Sequence, residues 1–227
     1  MNRKLEKDII QWDVKSWSKA LNFWEKEVDW SKIGNGLELG GRQGGLSLWL
    51  ALKGKKVICS DLKNVEETAK PLHVKYGVTS QIEYQNIDAT DIPYENHFDV
   101  IVFKSVIGSV GYFGNYANQQ KAFEQIYKAL KPGGVLLFAE NLVGSPLHRK
   151  LRKKFIRWGV SWRYITLDEM DGFLSEFSSR KIKVTGVMAA FGRSEGQRRL
   201  MATLDGLGLN ALCPRKWKYI TYGIAVK

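Results

Sequence analysis

The chain has 227 residues, 44% of them hydrophobic and 12% aromatic, which suits one globular domain able to bury a full core. Its 35 Lys and Arg against 23 Asp and Glu leave a formal charge of +12, which favours anionic partners. No apolar run approaches the ~20 residues of a membrane span, and Cys59 and Cys213 lie in unrelated contexts that offer neither a ligand pair nor a disulfide framework.

The N-terminal stretch MNRKLEKDIIQWD is too charged for a signal peptide, so a cytoplasmic protein is expected. Val14, Trp17, Leu21, Trp24 and Val28 recur at helical spacing, which predicts a helix from about Asp13 to Val28. It either packs on the core or forms a lid over a cleft. Gly36 to Leu39 reads as a strand, and the glycine turn Gly40-Gly41-Arg42-Gln43-Gly44-Gly45 follows it. Leu46, Trp49 and Leu50 open a helix that Gly54 ends. Lys56 to Ser60 is the second strand, with Asp61 at its exit.

A helix with Leu72 and Tyr76 on its inner side comes next, begun or kinked at Pro71. Gln81 to Asn86 is the third strand, followed by Asp88-Ala89-Thr90. Phe98 to Phe103 is a continuous apolar run, as in strands buried on both faces, with Lys104 and Ser105 at its exit. Phe123, Ile126, Tyr127 and Leu130 mark an amphipathic helix that the LKPGG sequence (130–134) stops. Val135 to Ala139 is the fifth strand, ending in Glu140-Asn141.

Ser145-Pro146 starts a basic helix running to Trp158, with Leu147, Leu151, Phe155 and Trp158 on one face and Arg149, Lys150, Arg152, Lys153 and Arg157 on the others. Thr166 to Glu169 is a capping box leading into Met170, Phe173, Leu174 and Phe177. Lys181 to Val187 is a sixth strand, Leu200, Met201 and Leu204 suggest one more helix, and the stretch from Trp217 to Val226 alternates as a last strand.

Strands alternating with helices predict a mostly parallel, doubly wound α/β sheet, which binds ligands beyond the carboxyl ends of its strands. Glu38, Asp61, Asp88, Lys104 and Glu140 all fall at such ends. The dinucleotide fingerprint G-x-G-x-x-G fails at its middle glycine, where Arg42 stands, and no P-loop lysine follows the glycines. A cofactor held by its sugar and an amino-acid tail asks less of that position.

The ordered set Glu38-Leu39-Gly40, Gly44, Asp61, Asp88-Ala89, the FDVIVF strand and the LKPGG turn resembles the class I S-adenosylmethionine-dependent methyltransferases, over roughly Gly36 to Glu140. The resemblance implies a seven-stranded Rossmann-like sheet in the order 3-2-1-4-5-7-6, with the last strand antiparallel. It implies one domain over 1–227, with a helical lead-in at 1–32 and a helical substrate cap at 141–178 inserted after the fifth strand. S-adenosylmethionine is the implied cofactor. Asp61 and its neighbour Leu62 would then meet the ribose side, and Asp88 and Ala89 the adenine edge. Glu38, Gly40, Gly41, Arg42 and Gly44 would wrap the methionine moiety, with Lys104 nearby. Arg42 departs from the family's usual glycine.

Methyl transfer needs alignment first and a base only where the acceptor must lose a proton. Glu140 and His148 are the candidate bases. For each a plainer role competes: Glu140 as a carboxylate orienting backbone, His148 as a surface residue of the basic helix. Ser105, Asn141, Arg149, Arg163 and Tyr164 are expected on the acceptor side. No metal cluster can be assigned, no NPPY-like motif follows the fourth strand, and no cysteine stands where cytosine-C5 enzymes place their nucleophile. The expected acceptor is therefore a small molecule or glycan, anionic in character, taking the methyl on oxygen or nitrogen. A peripheral contact with the inner membrane surface through the basic helix 145–158 is a further expectation. DNA is not expected. An RNA methyltransferase and a non-catalytic interaction protein are the alternatives.

Overall fold

A computed structural model describes residues 2–155 and 161–227, without the side chains of Lys153 and Phe155. The expected helix face at Phe155 and Trp158 and the charges at Lys153 and Arg157 lie outside those described residues. Seven strands form one sheet: β1 (Asn35–Leu39), β2 (Lys56–Asp61), β3 (Ile82–Asn86), β4 (Phe98–Lys104), β5 (Leu130–Asn141), β6 (Ser179–Thr185) and β7 (Ile220–Val226). Their order is β3-β2-β1-β4-β5-β7-β6. The pairs from β3 through β5 are parallel, and β7 runs antiparallel to both β5 and β6. Order and mostly parallel direction are those expected.

The apolar run of β4 shows why it needs cover on both sides. Val100 and Val102 enter one core, while Ile101 and Phe103 enter the other. On the first face lie α1 (Arg3–Ile10), α2 (Val14–Glu27), α3 (Gly45–Ala51), α4 (Val65–Lys75) and α9 (Glu195–Leu204); α6 (Tyr116–Ala129) and α8 (Leu167–Phe173) cover the second. Helix α7 (Pro146–Phe155) follows β5 in the chain.

The tryptophan-rich helix α2 packs rather than floats. Trp17 and Trp24 are fully buried, and the Trp24 indole N–H donates to the Gly223 carbonyl at 2.9 Å. The residues just before α2 reach the cavity, which Ile9, Gln11 and Trp12 help to line. Helix α1 sits on the start of α3 so closely that a Cβ on Gly45 would lie 2.0 Å from the Ile9 carbonyl oxygen.

The helical lead-in expected over 1–32 divides into α1 and α2; no periodicity marks the bounds of α1, because its eight residues carry few apolar side chains and only Ile9 and Ile10 are buried. Of the two places expected for Pro71, the start of the helix is excluded, since Pro71 lies inside α4. One expectation needs correction. The inner face of α7 is not the leucine stripe: Leu147 is 52% exposed, while His148 and Arg152, four residues apart, are buried. The reason is polar. Arg152 donates to the carbonyls of Leu142 (2.6 Å) and Val143 (3.0 Å) and lies 3.9 Å from the Tyr164 ring centre. That anchors the opposite side of the helix.

Candidate active site

A cavity of about 1620 Å³ runs across the carboxyl ends of the strands. A single small-molecule pocket usually occupies about 300–1,000 Å³, so there is room for two ligands.

One end is built by the turn after β1. Buried Glu38 accepts from the N–H groups of Leu46 (3.1 Å) and Ser47 (2.7 Å) at the start of α3. It thereby holds the turn against the helix end, and burial pushes its carboxyl up to about 7. Gly40 (φ +59) has no room for a side chain, since a Cβ would meet Val106 at 2.5 Å. Arg42 takes φ +50, the left-handed conformation that a glycine adopts freely. The departure from the glycine pattern therefore leaves the turn's course intact. Asp61 clasps the turn from β2, accepting from Arg42 N–H at 2.8 Å and from Leu62 N–H at 2.7 Å. Asp88 forms a turn with Thr90, whose N–H and hydroxyl both lie 2.8 Å from its Oδ1. Glu38, Gly40, Gly41, Arg42, Asp61, Leu62, Asp88 and Ala89 all line this end.

Gly44 does not. A Cβ there would meet the His73 ring at 2.5 Å, and the His73 Nε2 lies 2.8 Å from the Gly44 carbonyl oxygen. The Tyr84 hydroxyl holds His73 Nδ1 at 2.9 Å. Gly44 is thus required for packing on α4, and His73 is a turn-supporting residue that the sequence did not single out.

Lys104, at the exit of β4, connects the two ends. Its ammonium lies 4.7 Å from the Trp12 ring centre and 5.0 Å from that of Trp17. Burial brings its pKa down to about 8, with Glu140 and Glu38 opposing.

The other end gathers residues from distant parts of the chain. Ser105 and Asn141 line it, and the Asn141 amide donates to Ser105 Oγ at 2.6 Å. His148 stacks on Phe191 (centroids 4.6 Å) and faces Tyr219 (5.5 Å), with Ser145 Oγ 2.7 Å from its Nδ1. The Tyr219 hydroxyl donates to Asp13 at 2.5 Å. Asp13 in turn is fixed by Glu195, whose carboxylate accepts from the N–H groups of Asp13 (2.9 Å) and Val14 (2.8 Å). Burial lifts the Asp13 carboxyl to about 6. Arg152, Tyr164, Arg193 and Arg198 complete the wall. Asp13, Tyr219 and Arg198 were missed in the sequence. Asp13 opens a predicted helix and Tyr219 lies in a predicted strand, and nothing local marks either as a wall residue.

Three further expected site residues are placed elsewhere. Glu140 is fully buried off the cavity wall. Its Oε2 accepts from Val106 N–H (2.8 Å) and Ile107 N–H (2.7 Å), and its Oε1 from Asn141 N–H (2.7 Å). It therefore orients backbone at the start of α5 (Ile107–Val110), the plainer of its two roles. Arg149 is exposed on the outer side of α7. Arg163 is held by Gln119 and Glu169, each at 2.5 Å, and faces away from the cavity. His148 is on the wall but is not a surface residue. Burial and the neighbouring Arg152 lower its pKa to about 4, so the imidazole is neutral at physiological pH and too weakly basic to take a proton from a hydroxyl. No cluster of metal-binding side chains occurs among the described residues.

A doubly wound sheet with an acidic group at the exit of β2 and a glycine turn after β1 defines a protein of the nucleoside-cofactor class. Residues 37–138 match the family model described as methyltransferase domain. Over 80 residues the chain is 34% identical to the ubiquinone/menaquinone biosynthesis C-methyltransferase UbiE of Psychromonas ingrahamii, a stretch covering 34% of this chain and 28% of that relative. Among solved structures, the phosphoethanolamine N-methyltransferase 2 of Haemonchus contortus, in complex with phosphomonomethylethanolamine and S-adenosylhomocysteine, superposes with a TM-score of 0.64 at 19% identity. That match covers 93% of this chain and 52% of the other, so the chain spans about half of that enzyme. A possible histamine N-methyltransferase of Thermotoga maritima gives a TM-score of 0.63 at 16% identity over 95% of this chain and 91% of its own. At these identities the structures show the shared fold. Residues 37–138 thus match a methyltransferase domain, and the chain as a whole has the fold of S-adenosylmethionine-dependent methyltransferases, which take S-adenosylmethionine as cofactor.

The cavity fits that cofactor. Its turn presents the backbone of Gly40 and Gly41 to the cavity without side chains, and Asp61 retains acceptor capacity beyond the two N–H groups it binds. No described helix is long and apolar enough to cross a membrane.

Proposed function

We propose that the protein transfers a methyl group from S-adenosylmethionine to a small-molecule or glycan acceptor of anionic character, on oxygen or nitrogen. The observation that carries this reading is the single cavity with Asp61 and Asp88 at one end and Arg152, Arg193 and Arg198 at the other. Asp61 would receive the ribose hydroxyls, Asp88 and Ala89 the adenine edge, and the Glu38–Arg42 turn the methionine moiety. The residues after β5 then act as the acceptor cap, through Asn141, His148, Arg152 and Tyr164.

Bound there, S-adenosylmethionine supplies an electrophilic methyl group. The protein's share is alignment and exclusion of water. Neither Glu140 nor His148 is set as a base, which supports an acceptor already nucleophilic at neutral pH, such as a carboxylate or a weakly basic amine on an anionic molecule. The cationic end both selects such a group and holds it in line. The exposed Arg149 and Lys150 of α7 support the membrane contact as part of this reading.

A second reading, methylation of carbon on an aromatic acceptor, is favoured by the rings of Trp162, Tyr164, Phe191 and Tyr219 on the same wall. A panel of carboxylate, amine and phenolic acceptors, scored by S-adenosylhomocysteine release, tests the proposal. Turnover restricted to anionic acceptors, lost in Arg193→Gln/Arg198→Gln, is the expected result. Turnover of neutral phenols alone, with a carbon-linked methyl in the product mass spectrum, would replace it with the second reading.

A further inference from the structure

The surface beyond the cavity carries an apolar face that the fold does not use. Among the described residues fourteen large hydrophobic side chains are exposed, and six of them lie in the eighteen residues from Leu200 to Trp217. Scattered exposed leucines need no explanation, but a run of them does. Leu200 and Leu204 lie one turn apart on α9, at 65% and 47% exposure, and Leu207 (80%) continues the stripe. The inward side of the same stretch is fully engaged. Ala202 is buried, and the buried Asp205 accepts from the N–H groups of Val187 and Met188, each at 2.9 Å. Asn210 accepts from Gly186 N–H at 2.9 Å. These bonds pin the leucine-bearing segment to the end of β6, next to exposed Met188. A Cβ on Gly206 or Gly208 would meet nothing within 4 Å, so no other part of the described protein covers this side.

The charge of the face names its occupant. Arg193, Arg199 and Lys216 are exposed and make no ion pair with a described residue. Arg215 faces Asp168 and Asp171 across a small cleft and is discounted. The two acids of the stretch, Glu195 and Asp205, are both turned inward onto backbone N–H groups. An exposed stripe of leucines with a tryptophan at its edge, bordered by lysine and arginine, is the pattern of a segment that lies in the interface of an anionic bilayer. A second copy of the chain would bring like charges together.

We propose that the Met188–Trp217 face is a docking surface for an anionic lipid bilayer, separate from the basic face of α7. It adjoins the acceptor end of the cavity, because Phe191, Arg193 and Arg198 belong to the cavity wall and to the start of this same stretch. Its link to a membrane-associated acceptor rests on the methyl-transfer reading. The docking itself does not.

The test is flotation of the purified chain with phosphatidylcholine vesicles with or without phosphatidylglycerol, at low and high salt. Binding to the anionic vesicles that weakens with salt is expected. Leu207→Asp/Leu212→Asp should lower the partition coefficient about tenfold or more, and Arg199→Gln/Lys216→Gln about fivefold per charge removed. Both variants should keep the melting shift that S-adenosylmethionine gives the wild type. If the aspartate pair does not fold, the glutamine pair decides alone. No binding to anionic vesicles, equal binding by the variants, or a change from dimer to monomer with unchanged vesicle binding would overturn the proposal. Loss of binding only in Arg149→Gln/Lys150→Gln would move the contact to α7. None of these measurements uses a methyl acceptor, so their failure leaves the methyltransferase reading untouched.

Discussion

Replacing Glu140 by Ala separates its two candidate roles. The carboxylate satisfies three buried N–H groups, those of Val106, Ile107 and Asn141. A buried donor left without a partner costs about 1–3 kcal/mol, so three at the middle of that range cost about 6 kcal/mol. Against this stands the burial of the carboxylate itself, which pushes its pKa up to about 7 from the ordinary 4.5. Because the folded state binds the proton more tightly than the unfolded one, stability is unaffected below about pH 4.5, falls as pH rises to about 7, and stays lower above it. That loss is on the order of 3 kcal/mol. At pH 8 the variant escapes it, which leaves a net destabilisation of about 3 kcal/mol. With a urea dependence of about 3 kcal/mol per molar for a chain this size, the unfolding midpoint should drop by about 1 M. Urea titration followed by far-ultraviolet circular dichroism reads this directly. The Gln variant should show a shallower decline of stability between pH 4.5 and 7 than the wild type. An Ala variant with an unchanged midpoint and abolished turnover would refute the structural role and restore Glu140 as a base.

Other consequences follow from the same geometry. Gly45→Ala should displace α1, because its Cβ would overlap the Ile9 carbonyl oxygen; limited proteolysis should then cut the first dozen residues much faster than in the wild type, and equal rates would show that α1 yields without detaching. The low pKa of His148 means that His148→Gln should lower turnover without altering the shape of the pH–rate profile between pH 5 and 8. A limb near pH 6.5 present in the wild type and absent in the variant would show that the imidazole titrates in catalysis.

Much of the fold was legible because its signals are local. Phe98 to Phe103 reads as a strand covered on both sides, and Asp61 closes the second strand, where the family resemblance expects an acid. The cofactor end of the cavity comes from two consecutive strand exits and one turn, all within Glu38–Ala89, so short-range spacing captures it. The acceptor end joins Asp13, His148, Arg198 and Tyr219, which no sequence spacing relates. Their roles are decided by burial, which a sequence does not display. Glu140 stands at a strand exit like a catalytic acid, yet its oxygens turn to backbone N–H groups. Helix α7 misled for a related reason: the cation–π contact and carbonyl bonds of Arg152 outweigh burial of Leu147 and rotate the helix. Arg42 shows the reverse case, a residue of the wrong type that still adopts the glycine backbone angle, at a cost of about 1–2 kcal/mol.

The central claim is that the turn after β1, clasped by Asp61, holds S-adenosylmethionine. Isothermal titration of the wild type, Asp61→Ala and Arg42→Gly with S-adenosylmethionine tests it most directly. Asp61→Ala removes the proposed ribose acceptor and the clasp on the turn, so affinity should fall about 100-fold or more, two hydrogen bonds to a charged group at about 1.5 kcal/mol or more each. Arg42→Gly should stay within about threefold of the wild type, since the backbone already has a glycine's conformation. Wild-type binding that Arg42→Gly abolishes and Asp61→Ala leaves unchanged would contradict the account.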